Sequence, residues 1–206
     1  MSSELDLAVI EQAMKDLMAE QVKSGKWDWL SEGAIVSYGG EFNDDFEEVV
    51  RLFPAIWVTF KGSGKPKKTG FNQTEYPITF VVLVGSHSTK NEEAQRHGDA
   101  DNIGTYQMLA NVQKLLIGND LSSEGIEGLA HFELGPTKTI FNAKTQGLAA
   151  SVLAQEFHTE YTIIASDRDR EEEATEAELR VVNVDYYFAP NDGISDEQDT
   201  VNLKEK

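Results

Sequence analysis

The stretch Tyr76-Pro77-Ile78-Thr79-Phe80-Val81-Val82-Leu83-Val84 is β-branched or aromatic almost throughout and leaves little room for a polar face. Such a run reads as a strand buried on both sides, which places it near the middle of a sheet. Upstream, Ala55-Ile56-Trp57-Val58-Thr59-Phe60 has the same chemistry and reads as a second strand. Residues 61–74 between them hold Lys61, Lys65, Lys67 and Lys68, three glycines and no acid. That composition predicts a long, flexible, cationic loop.

Outward from this pair, two segments show helical spacing. Leu7, Ile10, Met14, Leu17, Met18 and Gln21 recur every three or four residues, so an amphipathic helix is expected from near Ser3 to Ser24-Gly25. Ile103, Tyr106, Leu109, Ala110, Gln113 and Leu116 form the stripe of another. Asp101 or Asn102 is its expected cap, and Gly118 suits the left-handed residue past its end. A two-turn helix is expected over 44–52, with Asn43 as its cap and Pro54 preventing continuation. Short strands are predicted over Ala34–Tyr38, His131–Leu134 and Thr137–Asn142, a long one over Ser151–Ala165, and a last one over Leu179–Phe188. Trp27 and Trp29 read as core cover rather than as an interface anchor. This order is not the regular alternation of a doubly wound sheet. It predicts an α+β fold: a mostly antiparallel sheet with the two main helices packed on one face.

The chain of 206 residues carries a formal charge of −18, unevenly spread: net −10 over residues 1–165 and net −8 over 166–206. The expected organisation is an α+β domain over 1–165, an acidic extension with the last strand over 166–190, and a disordered acidic tail over 191–206. The tail holds too little apolar matter to offset its ordering entropy. An acidic surface disfavours nonspecific binding to free nucleic acid. With no cysteine, the chain has no disulfide, thiolate ligand or cysteine nucleophile. The first residues are acidic where a secretory signal is basic, and no apolar run approaches the roughly 18 residues of a membrane span. A soluble protein made and used inside a cell is expected.

Each catalytic or ligand motif fails at a residue its chemistry requires. Gly62-Ser63-Gly64-Lys65 invites a phosphate-loop reading, but Thr59 stands where that motif needs glycine and Pro66 where it needs a hydroxyl for Mg²⁺. Asp99 to Gly104 resembles the start of a calcium loop, yet Ile103 replaces an oxygen ligand and Ala110 replaces the closing glutamate. His87, His97, His131 and His158 are isolated and form no His-x-x-x-His pair, so surface or edge-strand roles are expected. No Gly-x-Ser-x-Gly elbow occurs. The expectation is therefore no catalytic residue, no metal, no cofactor and no enzyme activity.

Several pieces, in order, resemble a known family. They are the N-terminal helix, Leu52-Phe53-Pro54-Ala55-Ile56-Trp57-Val58, Phe80-Val81-Val82-Leu83-Val84, Arg96-His97-Gly98 followed by Ile103-Gly104-Thr105-Tyr106-Gln107-Met108-Leu109, Leu115-Leu116-Ile117-Gly118, and Phe157-His158-Thr159-Glu160-Tyr161. Across roughly residues 1–165 the chain resembles the small tail proteins of Mu-like phages and prophages, regarded as tail terminators of contractile tails. The resemblance implies a tail-terminator-like fold and a virion structural protein, located at the neck-proximal end of the tail and assembled in the host cytoplasm. It further implies a ring, usually hexameric, that caps tube and sheath, ends tail growth and offers a docking face to the head or neck connector. A closed ring needs two different patches on each copy. The candidate interface residues are Lys61, Lys65, Lys67 and Lys68 in the cationic loop, Arg96, and Val182, Val184 and Tyr186 in the last strand, which pairs either with its own sheet or with a neighbour's open edge. Acidic bulk suits a lumen through which genomic DNA passes without specific binding. The alternative is an acidic phage regulatory or DNA-mimicking protein that binds a basic host partner.

Overall fold

A computed structural model describes residues 5–40, 49–88, 92–99, 102–140, 150–165, 181–186 and 197–202. The chain divides into two compact units, Met1–Ile164 and Ala165–Lys206.

In the first unit, helix α1 (Leu7–Lys23) starts where the Asp6 carboxylate accepts the Val9 N–H at 2.8 Å. That oxygen satisfies one of the amides left free in a first turn, so the helix begins later than the expected Ser3. Ile10, Ala13, Met14, Leu17 and Met18 are buried along one stripe. Each large member contributes about 1.5–3 kcal/mol by leaving water. Trp27 is buried and stacks on Trp29 at 5.4 Å, the core-cover role expected of the pair. The helix expected over 44–52 lies outside the described residues except at its end, where Val49 and Val50 are helical.

Five strands form the path β1 (Ile35–Ser37), β2 (Ala55–Ser63), β4 (Gln73–His87), β6 (Ala150–Ile164) and β5 (Glu133–Thr139), and the short β3 (Lys67–Lys68) pairs with β4. All pairings are antiparallel except β1 with β2. The apolar run over 76–84 is central, flanked by β2 and β6, with Ile78, Phe80, Val82, Leu83 and Val84 buried. It is longer than its apolar core because β6 offers fifteen paired positions, from Gln73↔Ile164 to His87↔Ala150. Pro77 is tolerated there because β2 ends opposite Ile78 and β3 starts opposite Glu75. The Pro77 carbonyl still accepts the Gly64 N–H at 2.9 Å, so the missing proline N–H faces the gap between two partners.

Residues 61–74 are not the expected flexible loop. β2 continues to Ser63 past an irregularity between Phe60 and Gly62, and β3 folds back on β4, making an ordered hairpin. The strands expected over His131–Leu134 and Thr137–Asn142 are one strand, β5, with a register shift between Leu134 and Thr137; Asn142 lies outside the described residues.

A short helix not expected from the sequence, α2 (Glu92–His97), precedes α3 (Thr105–Leu116). α3 buries Thr105, Met108, Leu109, Val112 and Leu116, and Gly118 follows it at φ +71° as expected. Its N-cap is Gly104 rather than Asp101 or Asn102. Asn102 is instead held in a turn by Asp99, whose carboxylate accepts its N–H at 3.1 Å. Both main helices sit on one sheet face. Thr105 meets Ser151 at 3.0 Å and Gln113 meets Gln155 at 2.8 Å, while Lys15 of α1 meets Ser37 at 2.9 Å. Register places Ser37, Val58, Val82, Gln155 and Ser151 on the same side.

In the second unit, β7 (Val181–Tyr186) pairs antiparallel with β8 (Glu197–Asn202), from Val181↔Asn202 to Tyr186↔Glu197. β8 falls within 191–206, for which the composition predicted no order. Its six residues pair through the backbone with β7, a partner that composition does not reveal.

The approach of Gly98 to Gly104 fixes how α3 starts. A Cβ on Gly104 would lie 2.2 Å from the Gly98 nitrogen and 2.3 Å from the Arg96 carbonyl oxygen. Backbone cannot move aside as a side-chain tip can, so Gly104→Ala is expected to cost about 1–3 kcal/mol. Gly33→Ala, which meets nothing within 4 Å, is the control. Urea unfolding of both variants checks this; equal midpoints would contradict it.

Candidate assembly surface

The four lysines of the hairpin do not act alike. Lys61 leaves β2 on the sheet face opposite the helices and places its Nζ 2.6 Å from Glu156 Oε2. Lys138 of β5 reaches the other oxygen, Oε1, at 3.2 Å. Two ammonium groups, one from the neighbouring β5 and one reaching across β4 from β2, thus close over one carboxylate whose side chain is only 8% accessible. The hydrogen bond from Lys61, with help from Lys138, holds the Glu156 carboxyl below its usual range in spite of burial. Lys67 is ion-paired with Glu75 at 3.3 Å, and Lys68 lies 5.9 Å over the Phe71 ring. Lys65 is exposed. The charge the hairpin presents outward therefore comes mainly from Lys65 and Lys68, with Lys67 partly offset.

Beside Glu156, His158 Nδ1 lies 2.9 Å from Thr79 Oγ1. A Cβ on Gly135 would come within 2.4 Å of the His158 ring, so the glycine in the irregular part of β5 is what lets that strand pass. Gly64, in the lysine-containing stretch that invited a phosphate-loop reading, donates its N–H to Pro77. That amide serves the hairpin. His131 faces Asp120 at 4.0 Å and His97 packs edge-on against Tyr106. Among the described residues, no three His, Cys, Asp or Glu side chains are grouped to hold a metal ion.

Arg96 belongs to the last turn of α2, which is tied to the far end of β4 through the Gln95 hydrogen bond to the Ser88 carbonyl at 3.1 Å. A strand of fifteen residues spans about 45 Å, so Arg96 is placed at the opposite end of the sheet from Lys67 and Lys68. Val182, Val184 and Tyr186 occupy alternate positions of β7, opposite Val201, Asp199 and Glu197 of β8. The structure thus gathers the four lysines around one hairpin and separates them from Arg96.

Two features escaped the sequence. The first is an apolar tip: Phe71 is 79% exposed, Ile164 59% and Ile163 39%, and the register puts the two isoleucines opposite Gln73 and Thr74, next to the hairpin turn. Isoleucines at the end of a long apolar strand look like core until its partner's length is known. The second is the segment 117–134 between α3 and β5, which holds Asp120, Glu124, Glu127 and Glu133, no Lys or Arg, and the exposed Ile117 and Leu134. Here the signal was available as a local charge count.

A carboxyl whose folded value is depressed contributes stability above its unfolded pKa, and that contribution is lost as pH falls through the folded value. The wild-type protein is therefore expected to lose melting temperature below about pH 4.3 more steeply than Glu156→Gln. At neutral pH the glutamine variant should be the less stable, because two lysines lose their counter-charge. Parallel pH profiles of the two melting temperatures would show that the clamp contributes nothing.

No helix among the described residues is long and apolar enough to cross a membrane. No curated protein matches the chain. The family described as "Bacteriophage Mu, Gp37" matches residues 7–162, which is all of the first unit but its two ends. With three quarters of the chain covered by that match, the protein belongs to the bacteriophage Mu Gp37 family and is a Mu-like phage protein.

Proposed function

We propose that the protein is a structural subunit of the phage particle, and that it acts as a tail terminator: a ring, expected to be hexameric, that caps tube and sheath, ends tail growth and presents a docking face to the neck. Its work is assembly rather than catalysis, its place is the neck-proximal end of the tail, and genomic DNA passes its lumen without specific binding. The observation that carries this reading is membership of the Mu Gp37 family across the whole α+β unit. Two features of the fold support it. The surface carries unlike patches, a cationic tip and an acidic segment, as head-to-tail contacts require. The −18 charge disfavours adhesion to passing DNA.

Electron microscopy of the purified protein, or of the protein mixed with tail tubes, is expected to show annular particles, and phage lacking it are expected to make tails of irregular length that fail to join heads. Tails of normal length that join heads without it would refute the reading. A monomer that captures a basic host protein would favour the acidic mimic.

A further inference from the structure

Beyond Ser63, where β2 stops, the sheet continues as a narrower extension of β3, the first residues of β4 and the last of β6. Its tip combines Lys65, Lys67 and Lys68 with the exposed Phe71, Ile163 and Ile164. A large ring four-fifths exposed is costly to leave in water, and exposed apolar surface of this kind marks contact sites; Ile163 and Ile164, adjacent in β6, add exposed apolar surface on the two opposite faces of the tip. Its lysines exclude a second identical tip, since like charges would oppose each other. Charge complementarity selects instead an acidic surface with apolar residues of its own. The segment 117–134 has both: four carboxylates without a lysine or arginine, and Ile117 and Leu134 half exposed.

We propose that the β3–β4 hairpin tip of one copy, through Lys65, Lys68 and Phe71, packs against the acidic 117–134 segment of the next copy and sets the register between neighbours. This rests on the ring reading above and deepens it by naming the two surfaces that meet. The contact is heterologous, because the two patches lie on different elements of each copy, so it propagates from copy to copy until the rotation closes. Apolar residues supply the burial; the charges orient the encounter and make it salt-sensitive.

The test uses the full chain. Reversing the tip (K65E/K67E/K68E) or the segment (E124K/E127K/E133K) is expected to weaken self-association at least tenfold by sedimentation, with melting temperatures checking that each variant folds. Combining both sets in one chain restores opposite charges and should regain assembly. Because the chain has no cysteine, K68C chains mixed with E127C chains should also give a disulfide-linked dimer under mild oxidation that neither chain gives alone. A wild type that forms rings while the tip variant forms them equally well would overturn this contact and leave the ring reading standing. A wild type that stays monomeric, alone and with tail tubes, would overturn both. Loss of assembly in the tip variant, with no recovery in the combined chain and no cross-link, would mean that another surface or protein occupies the tip, and would overturn the proposal.

Discussion

The fifteen-position ladder between β4 and β6 is the constraint on which the rest of the first unit depends. It joins segments about eighty residues apart, so forming it closes a large loop before any of its contacts stabilise the fold. Once it forms, β2 and β5 have edges to pair with, and the excursion between the two long strands, which holds α2 and α3, is pinned at both ends. Phe80 and Phe157 are then neighbours in the ladder, and Phe157 meets Phe132 edge-on at 6.3 Å on the way to β5.

Register in that ladder is fixed as much by polar groups as by apolar ones. Gln155 and Glu156 are adjacent and both buried, yet they face opposite sides of the sheet. Gln155 is held by Gln113 of α3, by Thr137 and by the Gly135 carbonyl. Glu156 is held by Lys61 and Lys138. A slip of one residue would turn the carboxylate toward the helices and the amide toward the lysines, leaving a buried charge without its counter-charge. Among the described residues no buried side-chain nitrogen or oxygen lacks a partner, which is what a uniquely registered sheet requires.

The same ladder gives the first unit two unlike surfaces. Because β4 and β6 outrun β2, their outer ends form a tip that carries charge and exposed apolar side chains away from the helix-covered core. The segment leaving α3 returns alongside β6, with Leu129 bridged to Tyr161 and the Ala130 N–H bonded to the Glu160 carbonyl, and brings its carboxylates to the flank of the sheet.

By itself the sequence determined the parts whose physics is local. The stripes of α1 and α3, the glycine after α3, the central position of Ile78–Val84 and the α+β class all follow from periodicity and side-chain chemistry along one segment. The ordered family-like pieces, including Arg96-His97-Gly98 and Ile103-Gly104, were legible as pattern, although the reason for them, two backbones touching where a Cβ cannot fit, was not. Tertiary structure alone decided what depends on a partner elsewhere in the chain: that the hairpin lysines divide between Glu156, Glu75 and solvent, and that Glu197–Asn202 is a strand. Ion pairs across strands and backbone ladders join residues far apart in the chain, and the energy that fixes them is not carried by either partner's own neighbourhood.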